Sequence, residues 1–204
     1  MIVYLCGIAL VALVFFSVQN KKNAIVVSIL TDLNATIGGR LVKSGFFSTP
    51  KLIVPAHDLD ITVSTMVAGA KANGSAGRQA IWYASSQFAK DSGVSFQVNS
   101  KPVDNATFSV KTAYTSGDGY FDDAFKVLMA SADEGAEVAK ILDKNIRYQL
   151  HQLLDAYPKI RVNVTQGWLT VSVPFASIKK GGELTPLIAL QTALIDRCVA
   201  SAAG

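Results

Sequence analysis

The chain has 204 residues, 50% hydrophobic and 17% charged, with 19 Lys and Arg against 15 Asp and Glu for a formal net charge of +4. That length and apolar content can bury a sizeable core, which excludes disorder as the main state. The pI near 9.0 arises from short separate clusters, Lys21–Lys22 and Lys179–Lys180, and not from a basic stripe with interleaved aromatics, so nucleic acid is not an expected partner.

Residues 1–18, MIVYLCGIALVALVFFSV, carry no charge and predict a transmembrane anchor. No basic residues precede the run and no small-residue cleavage site follows it, which argues against a removable signal peptide. Lys21 and Lys22 come directly after, and flanking positive charge tends to stay in the cytoplasm. The expectation is a single-pass cell-membrane protein with its domain inside, in contact with lipid through the N-terminal helix. An exterior domain is the alternative, in which Asn34, Asn73 and Asn105 of the NAT, NGS and NAT sequences become glycosylation sites. The same motif at Asn163 falls in a predicted strand and is a poorer acceptor. Cys6 and Cys198 are not placed to bridge, and no zinc spacing exists.

Residues 19–38 predict a juxtamembrane amphipathic helix with Ile25, Ile29, Leu33 and Ile37 on one face, ended by Gly38 and Gly39. Residues 39–204 then read as a single α+β domain. Short β-rich runs bounded by Gly, Pro, Asn or Asp fill residues 40–114 and predict an antiparallel meander; the clearest, LDITVSTMV, alternates Leu59, Ile61 and Val63 with Asp60, Thr62 and Ser64. GAKANGSAGR within it is a loop without the spacing of a phosphate-binding motif.

TSGDGYFDDAF holds Asp118, Asp122 and Asp123 beside Phe121 and Phe125. A calcium loop needs oxygen ligands at regular alternate positions closed by Glu, which this stretch does not offer. Asp118 between two glycines reads as a turn residue, Asp122 as an acceptor for turn N–H groups, and Phe121, Phe125 and Val127 as core. SADEGAEVAKILDKNIRYQLHQLLDAY predicts one long helix, capped by Ser131 and Glu134, with Val138, Leu142, Ile146, Leu150 and Leu153 on one face. KIRVNV and WLTVSV flank Gly167 as a hairpin. A final helix starts at Thr185 and Pro186, with Leu187, Leu190, Leu194 and Cys198 as its buried stripe. The expected architecture is therefore α+β: an N-terminal transmembrane helix, an antiparallel sheet and two C-terminal helices.

Over about residues 115–200 this order of elements resembles a loosely defined group of membrane-anchored prokaryotic proteins of unknown function. The match rests on Gly117, Asp118, Phe121, Asp122, Phe125 and Val127, and on Asp133, Leu153, Leu154, Gly167, Leu169 and Val173. Most of these positions are apolar, so the resemblance implies a fold and carries over no catalytic residue.

Two constellations remain as candidate sites. In PAHDLD, alternation sends His57 and Leu59 to one face and Asp58 and Asp60 to the other. A hydrolase built on His57, Asp58 and Asp60 would need a serine or a bound metal, and there is no G-x-S-x-G elbow. The only other histidine, His151, sits on the long helix at the edge of its buried stripe, and two histidines with no spaced Glu or Cys do not make a metal site. Trp168, Thr170 and Ser172 share the face opposite Leu169, Val171 and Val173, and an exposed Trp there would anchor a partner. The expected function is non-enzymatic and cofactor-free: a membrane-tethered scaffold or assembly subunit that binds another protein or itself. The alternative is a lipid-surface or small apolar ligand binding domain at the membrane.

Overall fold

The computed structural model describes residues 2–43, 48–69, 78–88, 93–101, 112–165 and 167–202, and the side chains of residues 2–19, 68, 69, 78 and 202 lie outside that description. The NGS and NAT sequences at Asn73 and Asn105 and most of the GAKANGSAGR loop therefore lie outside the described residues, and the Cys6 side chain lies outside the described side chains.

Helix α1 runs unbroken over Ile2–Ile37, across the boundary expected between an anchor and a second helix. Among the described residues no helix is long and apolar enough to cross a membrane. This overturns the expected transmembrane helix and leaves the single-pass placement built on it without support. The physical reason is visible from Asn20 onward, where polar positions interrupt the apolar ones and one face is spent on the domain: Val26, Ile29, Leu30 and Leu33 are buried while Ile25 is 52% exposed. The stripe is thus rotated from the predicted Ile25, Ile29, Leu33, Ile37 line, because the helix docks on residues Gly181–Leu184. A Cβ on Gly181 would lie 2.6 Å from the Ile29 carbonyl oxygen, so only glycine permits this approach. Asn34 sits half-buried within this helix.

Among the described residues nine strands form one antiparallel sheet: β1 Arg40–Val42, β2 Lys51–Ala56, β3 Leu59–Gly69, β4 Arg78–Gln87, β5 Phe96–Ser100, β6 Thr112–Tyr114, β7 Phe125–Met129, β8 Arg161–Thr165 and β9 Trp168–Pro174. Their spatial order is β1-β2-β3-β4-β9-β8-β5-β7-β6. The predicted meander over 40–114 holds only for β1–β4, since the β8–β9 hairpin enters between β4 and β5. Alternation tells which face a side chain takes and not which strand lies beside it. Gly167 makes the β8–β9 turn with φ of 77°, as its position in TQG predicts.

On one sheet face Leu52, Val54, Ile61, Val63, Trp82, Val98, Val162, Val164, Leu169 and Val171 are all buried. Helix α5, Thr185–Ala202, packs across it on β4 and β9 with Leu187, Leu190, Leu194 and Cys198 inward, each large aliphatic side chain stabilising the fold by about 1.5–3 kcal/mol. Gln191 on the same helix is buried, and its Nε2 donates to the Leu169 carbonyl at 3.0 Å and to Ser86 Oγ at 3.3 Å. The single long helix expected over 131–157 is instead a short 3₁₀ turn, Ala132–Glu134, then α3, Gly135–Ile141, and α4, Lys144–Leu154. Asp143 breaks it by accepting from Ile146 N at 2.9 Å, a new N-cap inside an otherwise continuous pattern. Glu134 does not close a capping box; its carboxylate accepts from Ser95 N at 3.0 Å. The predicted stripe from Val138 to Leu153 is nonetheless buried throughout.

Candidate functional site

The aspartates of TSGDGYFDDAF build a short helix, α2, over Gly119–Ala124. Asp118 caps it by accepting from Phe121 N at 3.3 Å. Asp122 accepts from Ser116 N at 3.0 Å, Ser116 Oγ at 2.9 Å and Gly117 N at 3.1 Å, which locks the preceding turn in the way its position predicts. Phe121, Phe125 and Val127 are buried. Beside this turn a groove of about 340 Å³ is lined by Asp118, Tyr120, Phe121, Lys144, Arg147, Tyr148, His151 and Gln152. Within it Arg147 is engaged with Asp118 (Nε to Oδ2, 3.3 Å) and with the Leu142 carbonyl at 2.8 Å. Tyr120 stacks on His151 with ring centroids 4.0 Å apart. Burial raises the Tyr114 phenol above its ordinary pKa, with Arg147 working against that shift.

His57 and Asp58 are not strand residues; they form the turn between β2 and β3. His57 has φ of 55°, which rotates its side chain off the alternation expected for a strand. Its Nε2 lies 3.0 Å from Asp196 Oδ1 on α5, and both side chains are more than half exposed. Asp58 and Asp60 are exposed and make no ion pair with it among the described residues. His57 thus pairs with Asp196 and not with the other candidates Asp58 and Asp60, and among the described residues no group of three or more His, Cys, Asp or Glu is placed to hold a metal ion.

The face of the sheet opposite the helices carries the other concavity. Register aligns Gln97, Asn163, Thr170, Ser85 and Thr62 as one row across β5, β8, β9, β4 and β3. A second row, two residues along, is Asn99, Arg161, Ser172, Tyr83 and Ser64. Around the first row a cavity of about 330 Å³ is lined by Met66, Tyr83, Ser85, Asn163, Thr165, Trp168 and Thr170. Trp168 and Met66 are each 46% exposed at its edge. Trp168 and Thr170, two of the candidate partner-binding residues, thus meet in the cavity, while Ser172 is buried on the adjoining row. Asn163 Oδ1 and both side-chain polar atoms of Gln97 are buried without a hydrogen-bond partner. Burial of Arg161 pulls its pKa down from the ordinary value.

Sequence reasoning missed Met66, Tyr83, Ser85, Asn163 and Thr165. Strand alternation places Tyr83 and Ser85 together, and Asn163 with Thr165. The β8–β9 hairpin carries Asn163 and Thr165 to the face of Trp168, and only the pairing of β4 with β9 brings Tyr83 and Ser85 there.

The fold is similar to that in the crystal structure of the mycobacterial trehalose monomycolate transport factor A, TtfA, with a TM-score of 0.55 and 8% sequence identity. The likeness covers 85% of this chain and 93% of that one. At that identity it is a likeness of fold alone. No family model and no curated protein matches the chain.

Proposed function

We propose that this protein is a non-enzymatic accessory factor in the transport of lipid-linked cargo, acting by binding cargo or a component of the transport machinery through the sheet face that carries Trp168. The observation that carries the reading is that face: a cavity lined by Trp168, Tyr83 and Met66 among hydroxyl and amide side chains, on a sheet whose other side is occupied by helices. Exposed aromatic and thioether groups around a few convergent polar atoms are the usual chemistry of a recognition surface. The fold shared with TtfA, a transport factor by name, supports assigning that surface to transport rather than to a soluble metabolic ligand.

The test is deletion of the gene in its source cell, followed by analysis of the envelope lipids and complementation. A lipid-linked species should accumulate on its side of synthesis in the deletion strain. Wild-type protein should restore its distribution and Trp168→Ala combined with Tyr83→Ala should not. An unchanged lipid distribution in the deletion strain would overturn the reading.

A further inference from the structure

The chemistry of the sheet-face cavity selects among ligands. All seven described lining residues, Met66, Tyr83, Ser85, Asn163, Thr165, Trp168 and Thr170, are uncharged. A phosphate, carboxylate or ammonium group entering it would lose hydration and meet no charged side chain among the described lining residues, which is costly; Arg161 stands on the adjoining row. A wholly apolar ligand would be equally ill matched. It would cover the hydroxyls of Ser85, Thr165 and Thr170 and the amide of Asn163, and leave them without partners, at about 1–3 kcal/mol for each group stranded.

The remaining class is neutral, rich in groups that both donate and accept, and has an apolar face. Hydroxyls donate and accept at one atom, and the Asn amide offers both functions in a fixed plane. Trp168 presents an exposed ring at the rim, on which the C–H face of a pyranose packs while its hydroxyl edge points to the polar row. Beside Asn163 in register stands Gln97, fully buried, with neither amide atom bonded. Asn163 Oδ1 beside it is likewise buried without a partner, and buried amides of native proteins are rarely left unpaired, so Asn163, which lines the cavity, has hydrogen-bonding capacity to offer there.

We propose that this cavity binds an uncharged sugar unit, the head group of a glycosylated lipid or a free neutral saccharide, with Trp168 as stacking platform and Asn163, Thr170 and Ser85 as its hydrogen-bonding row. The proposal rests on reading this face as the binding surface of the protein and names the class of its ligand. Tyr83 closes the cavity on the β4 side and Met66 on the β3 side, so the sugar lies across β8, β9 and β4 rather than along one strand.

The experiment is a titration of the purified full chain with trehalose, with maltose and with inorganic phosphate. Trp168 fluorescence is read against a Trp168→Phe blank, and side-chain and backbone amide shifts are followed by NMR. A saturable response to at least one disaccharide is expected at Asn163, Thr170 and Trp168, with millimolar affinity for the free sugar and none for phosphate. Asn163→Leu should weaken it about tenfold, and Tyr120→Ala in the α2–α4 groove should leave it unchanged. Amide-shift dispersion shows whether each variant is folded, and Trp168→Phe should retain part of the affinity where Trp168→Ala does not. No saturable shift on this face for either disaccharide, or an equal response at Tyr120, overturns the proposal. A transport phenotype without sugar binding removes the sugar and keeps the transport role. Sugar binding without a transport phenotype does the reverse. Binding of an alkyl glycoside much more tightly than its free sugar identifies the lipid-linked source, and equal affinities identify the free saccharide.

Discussion

Arg147 on α4 reaches across to the N-cap of α2, its Nε lying 3.3 Å from Asp118 Oδ2 while the other carboxylate oxygen caps Phe121 N. One aspartate therefore starts one helix and holds a second. Asp118→Ala should cost about 1–2 kcal/mol, read as a lowered urea midpoint at unchanged slope. Asp118→Asn keeps the cap and loses the charge, so it should cost less than half as much. Equal losses in the two variants would show that the ion pair, and not the cap, carries the effect.

Gly181 is the point where α1 meets the rest of the fold, because an added Cβ would overlap the backbone at Ile29 and Leu33. Gly181→Ala should destabilise the domain by about 1–3 kcal/mol and expose α1 to limited proteolysis. Its neighbour Gly182 has open space around it, and Gly182→Ala should be close to neutral. If both substitutions are neutral, the helix docks differently.

Cys198 is buried, and burial pushes its thiol pKa up to about 12. In a Cys6→Ser background the folded chain should resist thiol reagents at pH 8 and react once unfolded. In the folded state the proton is held more tightly, so the stabilisation is complete below the unfolded thiol pKa of about 8.5. It is lost as pH rises towards about 12. Tyr157, whose hydroxyl donates to the Glu183 carbonyl and whose pKa is raised by burial, acts in the same direction. Cys198→Ala should flatten the alkaline limb of the stability curve without abolishing it.

Glu183 behaves oppositely. Its carboxylate accepts from Lys179 N at 2.6 Å and from Lys180 N at 3.2 Å, and the Lys179 bond leads in holding its pKa below the ordinary value. The stabilisation is present above the usual Glu pKa of about 4.3 and disappears as pH falls through the lower folded value. Glu183→Gln should therefore be less stable than wild type at neutral pH and converge with it in strong acid. A gap that persists in acid would mean that side-chain packing, not charge, is what the carboxylate supplies.

The local devices were legible in the chain. Asp122 binds the turn before α2, Gly167 makes its hairpin, and the inward stripes of α5 and of the 138–153 segment are buried as spaced. The break at Asp143 was not foreseen, because a strong heptad-like pattern continues through it and a cap reveals itself only once α4 turns. The α1 stripe was displaced for the same kind of reason: Ile25 and Val26 are both apolar, and Gly181 decides which one is covered.

Of the sheet-face cavity the sequence showed one strip, Trp168 and Thr170 opposite the buried Leu169 and Val171. Side-chain alternation is a property of a single strand, so that much follows from the residues alone. The predicted β8–β9 hairpin adds Asn163; that β9 also pairs with β4, bringing Tyr83 and Ser85 beside Trp168, was decided only by the tertiary structure. The same holds for His57, drawn by its turn toward Asp196 and away from Asp58 and Asp60. Strand pairing between segments far apart in the chain is settled by which surfaces bury most together, and local sequence carries little record of that competition.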